Sequence, residues 1–331
     1  MSVDGNDMAV REFLGQVVLL VESGSAGEAV PAALRPARVF LEAGLCAVRS
    51  QPLPWIQYDL TIVEERRREL YVSLLEFVSG GLPGGMANFF LMHKPPGIRL
   101  RFEATPGGRT RESVDEWLQA VQAAGCVLEA RNAVYEPEHV LFGGHESMPS
   151  VHRIFTLDSL VWLAYHAQAT TGPVPAWRLS LRMIRSLLDG LGIDDLEDLG
   201  LWDHLVRDAG RGFRREPPGN WHKVADEIRR AWYDTSDKVG READLADVSA
   251  LLSDYERRLP HACEQWTDTY FRSPDARIGR VAAAVPLVAF HWNRARLSPA
   301  WQIALSEALR MGPGEIRSDD PVRLRNSGDE S

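Results

Sequence analysis

Two arginines, Arg99 and Arg101, stand two residues apart in a segment where apolar residues alternate with them. Alternation at period two predicts a β-strand that directs both guanidinium groups to one face, roughly 6–7 Å apart. Two guanidinium groups on one face can hold a carboxylate or peptide carbonyls. The pair is therefore a candidate binding site for a peptide or a carboxylate, and a solvated outer sheet face is the alternative.

A second set of polar side chains ends the apolar segment 285–290, where His291, Asn293 and Arg294 follow in close succession. Histidine can move a proton near neutral pH, and the other two side chains are hydrogen-bond donors. Either the helix predicted here points them into a cleft, or they only end the helix, where arginine matches the helix dipole. Trp292 between them is either a stacking surface for a substrate ring or part of the core.

A third polar segment lies between residues 135 and 159, and Gly143-Gly144 within it permits a sharp turn. Asp158-Ser159 is typical of a helix cap before the apolar run that follows. His139, His145 and His152 lack a recognised metal-ligand spacing, so we predict no metal site. Further acid–base candidates of this segment, with loop polarity as the alternative, are Tyr135, Glu138, Glu146, His152 and Asp158.

Composition excludes several classes of protein. The 331 residues are 45% hydrophobic and 25% charged, as in an ordinary globular protein, and the net charge of −9 argues against binding duplex nucleic acid. Three isolated cysteines, and no apolar run near the ~20 residues that a membrane helix needs, predict a cytoplasmic protein with no membrane partner. The usual nucleotide, zinc and nucleophile motifs are missing, so these motifs leave the function open.

Predicted strands dominate the first half of the chain and predicted helices the second half. This order predicts an α+β fold, with a mixed or antiparallel sheet packed against helices and a helical C-terminal half. We predict one domain over residues 1–311 that includes 1–54 as an N-terminal extension, an irregular connection over 190–221, and a disordered tail over 312–331. The predicted strands are 17–21, 88–93, 98–103 and 126–135, and the predicted helices are 62–79, 111–124, 155–169, 177–190, 222–236, 244–258, 280–292 and 298–311.

In this order the three polar segments resemble the elimination domain of lantibiotic dehydratases and the stand-alone thiopeptide-type bacteriocin biosynthesis proteins. That family carries a PGxHLRLRF-like strand, a YEPExxRYGG segment that runs into an F-x-x-DS helix, and an H-M-x-x-N-R helix followed by L-S-P. The counterparts here begin at Pro96, Tyr135, Phe155 and Ala289, and the resemblance covers about residues 55–310. It implies an α+β fold.

Two departures from the family pattern concern charged residues. Members that eliminate glutamate from glutamylated serine or threonine carry an arginine just before the aromatic-Gly-Gly, and a histidine four positions before the Asn-Arg. Leu141 and Ala289 stand at these positions here. Elimination needs a base for the α-proton and a cation for the enolate and the leaving carboxylate. The departures therefore indicate that this chain does not perform that elimination.

The resemblance is strongest to the thiopeptide pyridine synthases, which act without a cofactor on a peptide that already contains dehydroalanines. It implies a formal [4+2] aza-cycloaddition between two dehydroalanines of a leader-bearing, azole-containing precursor peptide, with loss of water and of the leader as its amide. The expected partners are that precursor peptide and other enzymes of the pathway. The implied roles are proton shuttle for His291, hydrogen-bond donors for Asn293 and Arg294, substrate anchors for Arg99 and Arg101, and azole stacking for Trp292.

Two other functions stay open at this point. One is a stand-alone glutamate-eliminating lyase with relocated catalytic groups, and the other is a non-catalytic domain that only binds a leader peptide. Release of the leader as an amide, loss of glutamate, and binding without a change of mass would distinguish the three.

Overall fold

A computed structural model describes residues 2–3, 6–7, 10–22, 34–41, 55–82, 85–95, 97–105, 107–168, 174–194, 196–233 and 246–312. The chain divides into two compact units, residues 1–54 and 55–331. One domain over residues 1–311 stays a prediction beside this division. The predicted tail 312–331 lies outside the described residues except for its first position. No helix in the described ranges is long and apolar enough to cross a membrane.

The described residues of the first unit form two short paired strands and two helices. Strands β1 (Ser2–Val3) and β2 (Asn6–Asp7) pair antiparallel, and they precede helix α1 (Val10–Glu22) and helix α2 at residues 35–41. The strand predicted at 17–21 is therefore wrong. A run of five apolar residues does not by itself distinguish a strand from a helix, and Val18 and Leu19 are more than half exposed rather than buried.

The second unit is built on a four-stranded antiparallel sheet in the order β4-β5-β3-β6. The strands predicted at 88–93, 98–103 and 126–135 are confirmed, and a further strand precedes them in the chain. Alternate residues of that strand are buried, so its pattern is that of a half-buried strand. The four strands are β3 (Trp55–Ile62), β4 (Met86–Lys94), β5 (Gly97–Ala104) and β6 (Val127–Ala133).

The two faces of this sheet differ in chemistry. Helices α3 (Arg67–Gly81) and α4 (Thr110–Ala123) share a core with the face that carries Ile98, Leu100 and Phe102. The opposite face carries Arg99 and Arg101 on β5, with polar partners on β3. The strand alternation predicted for the two arginines is thus confirmed, and it puts both on the face away from α3 and α4.

Glycine is required where β5 begins. A Cβ on Gly97 would lie 1.9 Å from the carbonyl oxygen of Leu60 on β3, so any other residue would force the two strands apart. The close approach fixes the register that sets Arg99 opposite Asp59 and Arg101 opposite Gln57.

Helices α5 to α11 form the other part of this unit and share a second core. Six of the predicted helices are confirmed with shifted ends, whereas the irregular connection predicted over 190–221 contains a helix that buries Leu201, Trp202 and Leu205. Ser298 caps the last helix, as predicted, by accepting a hydrogen bond from the Trp301 N–H. The helices are α5 (Met148–Ala167), α6 (Ala176–Leu191), α7 (Glu197–Arg207), α8 (Trp221–Tyr233), α9 (Ala246–Trp266), α10 (Arg280–Arg294) and α11 (Pro299–Leu309).

Strand β4 forms an edge of the sheet, and side chains of α5 accept hydrogen bonds from its backbone N–H groups. The backbone N–H groups of Phe89 and Leu91 donate to Thr156 Oγ1 at 3.1 Å and to Ser159 Oγ at 3.3 Å. Unpaired backbone groups at a sheet edge otherwise invite pairing with another chain. Ser159 therefore binds the edge strand from the middle of α5, and its predicted role as a helix cap is wrong.

Candidate functional site

His291 belongs to a buried polar network, the His291 network, formed with Asp158, Ser180 and Arg294. His291 Nδ1 lies 2.5 Å from Asp158 Oδ1, and Arg294 Nε donates to the other oxygen of the same carboxylate. As whole residues, His291 is 3% exposed and Arg294 is 1% exposed. Rather than pointing into a cleft, the end of α10 therefore binds Asp158 inside the helical core.

The contacts determine which ring nitrogen of His291 carries a proton. Nδ1 is 2.5 Å from the Asp158 carboxylate and 3.2 Å from the indole nitrogen of Trp162, and it cannot donate to one while accepting from the other. The shorter, charge-assisted contact prevails, so Nδ1–H donates to Asp158. At the other ring nitrogen, Nε2 shares a hydrogen bond of 2.9 Å with the Ser180 hydroxyl.

Ser180, His291 and Asp158 thus stand in the order nucleophile, base and acid that catalytic triads use. Access decides against that chemistry. All three residues are buried, and the neighbouring cavity has a volume of about 10 Å³, enough for no more than one water molecule. No peptide bond reaches Ser180 in this structure.

The partners of Asp158 stabilise its ionised form. Burial opposes ionisation of the carboxyl group, but the charges and hydrogen bonds of His291 and Arg294 outweigh burial and keep the pKa of Asp158 below its usual value. A carboxylate between two cationic or donor groups in a dry core binds α5 to α10. The network therefore positions elements of the fold.

Asn293 binds the end of α10 to the sheet. Its Oδ1 accepts the His93 N–H at 2.7 Å and its Nδ2 donates to the His93 carbonyl at 2.9 Å, as a neighbouring strand would. Two histidines bind the last carbonyls of the helix: His93 Nδ1 donates to that of Asn293 and His166 Nε2 to that of Arg294, both at 2.8 Å. These contacts satisfy carbonyls that a helix end leaves without partners.

Trp292 is 0% exposed and packs in the helical core, where its ring centre lies 6.5 Å from that of Trp202. Its indole N–H has no acceptor among the described residues. A substrate ring cannot stack on a side chain in this position. The core alternative that the sequence left open for Trp292 agrees with the structure.

Arg99 lies on the polar face of the sheet beside an open groove. Its guanidinium binds Asp59 through two hydrogen bonds of 2.6 and 2.8 Å, and Arg131 lies 3.6 Å from the same carboxylate. The Arg99 hydrogen bond is the main reason that the pKa of Asp59 lies below its usual value. The groove has a volume of about 290 Å³, and its charged lining residues are Asp59, Lys94, Arg99, Glu129 and Arg131.

Arg101 is only 5% exposed, although its neighbour on the same face is accessible. Its guanidinium carbon lies 5.0 Å from the ring centre of Phe90 and 4.7 Å from that of Tyr135. Within the described part of the chain, its single hydrogen bond runs from Nε to Gln57 Oε1 at 2.8 Å. Burial lowers the pKa of Arg101. This direction is typical of a cation that has little contact with solvent and few partners.

Tyr135 and His152 complete the surroundings of Arg101. The Tyr135 hydroxyl lies 2.7 Å from His152 Nε2, and Trp55 packs its ring 5.0 Å from that of Tyr135 and 4.5 Å from that of His152. Burial, with a smaller effect of the Arg101 charge, lowers the pKa of His152 to about 3, so this ring is neutral. We call Trp55, Phe90, Arg101, Tyr135 and His152 the Arg101 cluster.

The sequence indicates three members of the Arg101 cluster as separate candidates, and no local pattern brings them together. Arg101 and Tyr135 belong to predicted strands, and His152 lies in α5, so only the fold joins them. Trp55 gave no signal, since the strand that begins with it was not predicted. Arg99 and Arg101 remain candidate substrate anchors, while the catalytic roles of His291, Asn293 and Arg294 stay predictions that their burial or bonding opposes.

A sequence model of the family described as "Lantibiotic biosynthesis dehydratase C-term" matches residues 55–311. The chain belongs to this family. The crystal structure of the tRNA-dependent lantibiotic dehydratase MibB from Microbispora sp. 107891 is similar to it, with a TM-score of 0.59 and 16% sequence identity. The match covers 79% of this chain and 28% of that chain, and at this identity it shows the fold alone. No curated protein matches the sequence.

These findings confirm the resemblance at the level of the lantibiotic dehydratase family and confirm the α+β fold. They connect the chain to enzymes that modify ribosomal peptides. Because the chain spans little more than a quarter of MibB, the activity of that whole protein does not transfer to it.

Leu141 and Ala289, the positions at which eliminating members of the family carry charged residues, lie on neighbouring elements. Leu141 is 48% exposed in a short 3₁₀ turn, His139–Phe142, and Ala289 is half-buried on α10. Phe142 of that turn packs against Phe290 of α10, with ring centres 6.2 Å apart. The surface between the two elements thus presents hydrocarbon where the family pattern has an arginine and a histidine.

Metal ligands are not grouped in the ranges that the structure describes. No cluster of three or more histidine, cysteine, aspartate or glutamate side chains there could hold a metal ion. His139 and His145 stack on each other, with ring centres 3.8 Å apart.

Proposed function

We propose that this chain is a pyridine synthase of thiopeptide biosynthesis. It joins two dehydroalanines of a leader-bearing precursor peptide by a formal [4+2] aza-cycloaddition, and water and the leader amide then leave. The observation that carries the proposal is the pairing of family membership with Leu141 and Ala289 at the two charged positions of eliminating members. A family scaffold without that charged pair suits a reaction that expels no glutamate.

The chemistry demands little of the protein beyond positioning. Bringing two alkenes of one chain together is mainly a proximity problem, for which effective molarities are large. The second demand is a set of donors near an amide oxygen, because one dehydroalanine reacts through the iminol tautomer of its amide. The polar sheet face offers both a groove and donors, with Arg99 at the groove and Arg101 beside it.

In this proposal Arg99 and Arg101 anchor the peptide, and the proposed reaction uses no cofactor. His291, Asn293 and Arg294 act as positioning residues, because they bind α10 to α5 and β4 rather than to an accessible surface. The partner is the azole-bearing precursor peptide, and other enzymes of the pathway are further partners. We place the reaction in the cytoplasm, where such a precursor is made.

Mass spectrometry of one incubation tests the proposal. The full chain is mixed with the dehydrated, azole-containing precursor encoded beside its gene, and the same precursor without dehydroalanines serves as the control. We expect an intact leader amide and a cyclic core from the first peptide and no change in the second. Loss of glutamate from a glutamylated precursor would instead identify a lyase, and binding without any change of mass would identify a leader-binding domain.

A further inference from the structure

The Arg101 cluster contains hydrogen-bond donors that the protein does not use. The indole N–H of Trp55 is buried and has no acceptor among the described residues. Among the same residues, the Arg101 guanidinium donates a hydrogen bond only from Nε, so its Nη groups have no protein acceptor. Buried donors without acceptors are rare, and each one requires an explanation. In contrast to the orphaned indole of Trp292, which lies in the apolar core, that of Trp55 lies beside a guanidinium and a tyrosine hydroxyl.

The cluster is also arranged around a common centre. The Trp55 ring lies 5.4 Å from Phe90 and 5.0 Å from Tyr135, and the Arg101 guanidinium covers the same two partners of Trp55. The Tyr135 hydroxyl forms a hydrogen bond with His152 Nε2. Polar groups of Trp55, Arg101 and Tyr135 therefore lie among aromatic rings, where water competes weakly. The Tyr135 hydroxyl can donate to a ligand when His152 Nε2–H is the donor in the bond between these two side chains.

We propose that Trp55 Nε1, the Nη groups of Arg101 and the Tyr135 hydroxyl bind the carbonyl oxygen of one backbone amide of a peptide substrate. The inference rests on the proposed function and deepens it, since that amide is the one that reacts as its iminol. His152 acts as a positioning residue for the Tyr135 hydroxyl. As the amide becomes its iminol, the N–H proton leaves to solvent and the carbonyl oxygen takes up a proton in its place. Donors preorganised around that oxygen stabilise the negative charge that it carries between the two transfers.

Charge on the surrounding residues favours an amide oxygen over a carboxylate. The carboxylates of Glu138 and Asp59 act on Arg101, and those of Glu138 and Glu103 act on Tyr135. A negatively charged ligand would meet these three carboxylates as well as the Arg101 and Arg99 cations, whereas a neutral carbonyl oxygen needs only the donors. The site therefore takes a peptide amide.

Kinetics of cyclisation test the inference on the dehydrated precursor with Trp55→Phe and Tyr135→Phe, which keep the rings and remove one donor each. The matched controls are Trp301→Phe and Tyr165→Phe. Trp301 stacks on Trp177 in the helical part, and the Tyr165 hydroxyl binds the carbonyl of Val174. We expect each site variant to lower kcat by about 100-fold with little change in KM, and both controls to match the wild type. Arg101→Lys, which keeps the charge but loses the planar donor fork, should behave like the two site variants.

A second measurement detects binding at the site rather than the rate of cyclisation. The chain is labelled with ¹⁵N-tryptophan, and the indole signal absent from Trp55→Phe is assigned to Trp55. Titration with the dehydrated precursor should shift this signal downfield, as a new acceptor does, and free glutamate at equal concentration should leave it in place. A shift with glutamate as strong as with the peptide would contradict the amide assignment.

The two measurements separate this inference from the proposed function. Cyclisation by the wild type together with undiminished rates in Trp55→Phe and Tyr135→Phe overturns the carbonyl site and leaves the pyridine synthase proposal in place. A wild type that does not cyclise the precursor, but whose Trp55 signal moves on adding it, overturns the reaction and supports the carbonyl site. An unmoved signal at saturating peptide overturns the site.

Discussion

Two polar regions of the second unit contain similar residue types but treat them differently. In the His291 network, an aspartate, a histidine, an arginine and a serine are bound to one another inside the helical core. In the Arg101 cluster, an arginine on β5 and a tryptophan on β3 keep donors without acceptors in the described part of the chain. Both look catalytic when only the residue types are considered.

The difference lies in which groups already have partners: Asp158 and both ring nitrogens of His291 are hydrogen-bonded, whereas the buried indole of Trp55 has no acceptor among the described residues. A group whose partners are all supplied by the protein has nothing left to offer a substrate, and its removal leaves a buried charge or a buried donor unpaired. A donor without an acceptor has already been desolvated and gains when a ligand supplies one. The comparison assigns positioning to the first region and binding to the second, and four changes test that assignment.

The largest effect is expected from Asp158→Ala. It leaves Arg294 buried without its carboxylate, which should lower the free energy of unfolding by about 3–5 kcal/mol. Urea denaturation followed by circular dichroism measures the change. Asp254→Ala is the control, because its pairs with Arg257 and Arg258 are more exposed and should contribute at most about 1 kcal/mol. Equal losses in the two variants would contradict a structural role for the His291 network.

Asn293→Ala should destabilise by about 2 kcal/mol, because it leaves the N–H and the carbonyl of His93 without their partners. Hydrogen exchange of the His93 amide should accelerate, while that of Leu91, which Ser159 still binds, changes less. Unchanged exchange at His93 would show that Asn293 does not bind the strand edge in solution.

Acid should destabilise the chain through its buried histidines. Burial lowers the pKa of His93 and His152 to about 3 and that of His166 to about 4, below the ordinary value of 6.5. As pH falls below 6.5 the unfolded chain therefore takes up protons that the folded chain does not, and stability falls. From pH 7 to 5.5 the expected loss is about 1 kcal/mol for each histidine.

Urea denaturation at the two pH values measures this loss, and His166→Asn should remove about a third of it. A free energy of unfolding that stays constant between pH 7 and 5.5 would mean that these rings are protonated in the folded chain.

The smallest effect should come from Arg99→Ala. Asp59 holds this guanidinium beside an open groove, so its loss should raise KM for the precursor a few-fold and leave kcat unchanged. Arg109→Ala, at an exposed position before α4, is the control. A fall in kcat with Arg99→Ala as large as that with Arg101→Lys would remove the distinction between the two arginines.

Periodic apolar patterns predicted much of the fold. Strands β4 and β5 and helices α4 and α6 have patterns of period two or 3.6 that lie near their true ends. Pattern alone misled at residues 17–21, where a short apolar run fits either element. Helix α7 was missed because glycines near it suggested a loop, and only tertiary packing of Trp202 and its neighbours reveals it.

The site was less predictable because its decisive contacts are remote in the chain. The partners of His291 lie 133 and 111 residues away, so no local pattern shows that its ring is buried and bound on both nitrogens. Arg101 and Arg99 look equivalent in a strand, yet one is buried against aromatic rings and the other lies beside a groove. Residue type and alternation predicted which face they share, and the neighbouring elements determine what each can bind.

The pairing of Asn293 with both backbone groups of His93 makes the end of α10 a substitute for a fifth strand. A helix that completes a sheet cannot be shifted without releasing the strand it completes, so a substitution that leaves β4 bound has to lie outside this joint. Leu141 and Ala289 are such positions, because neither takes part in the joint. A single substitution at each would replace an apolar side chain with a charged one. A scaffold of this kind can acquire or lose an elimination pair while its architecture stays the same.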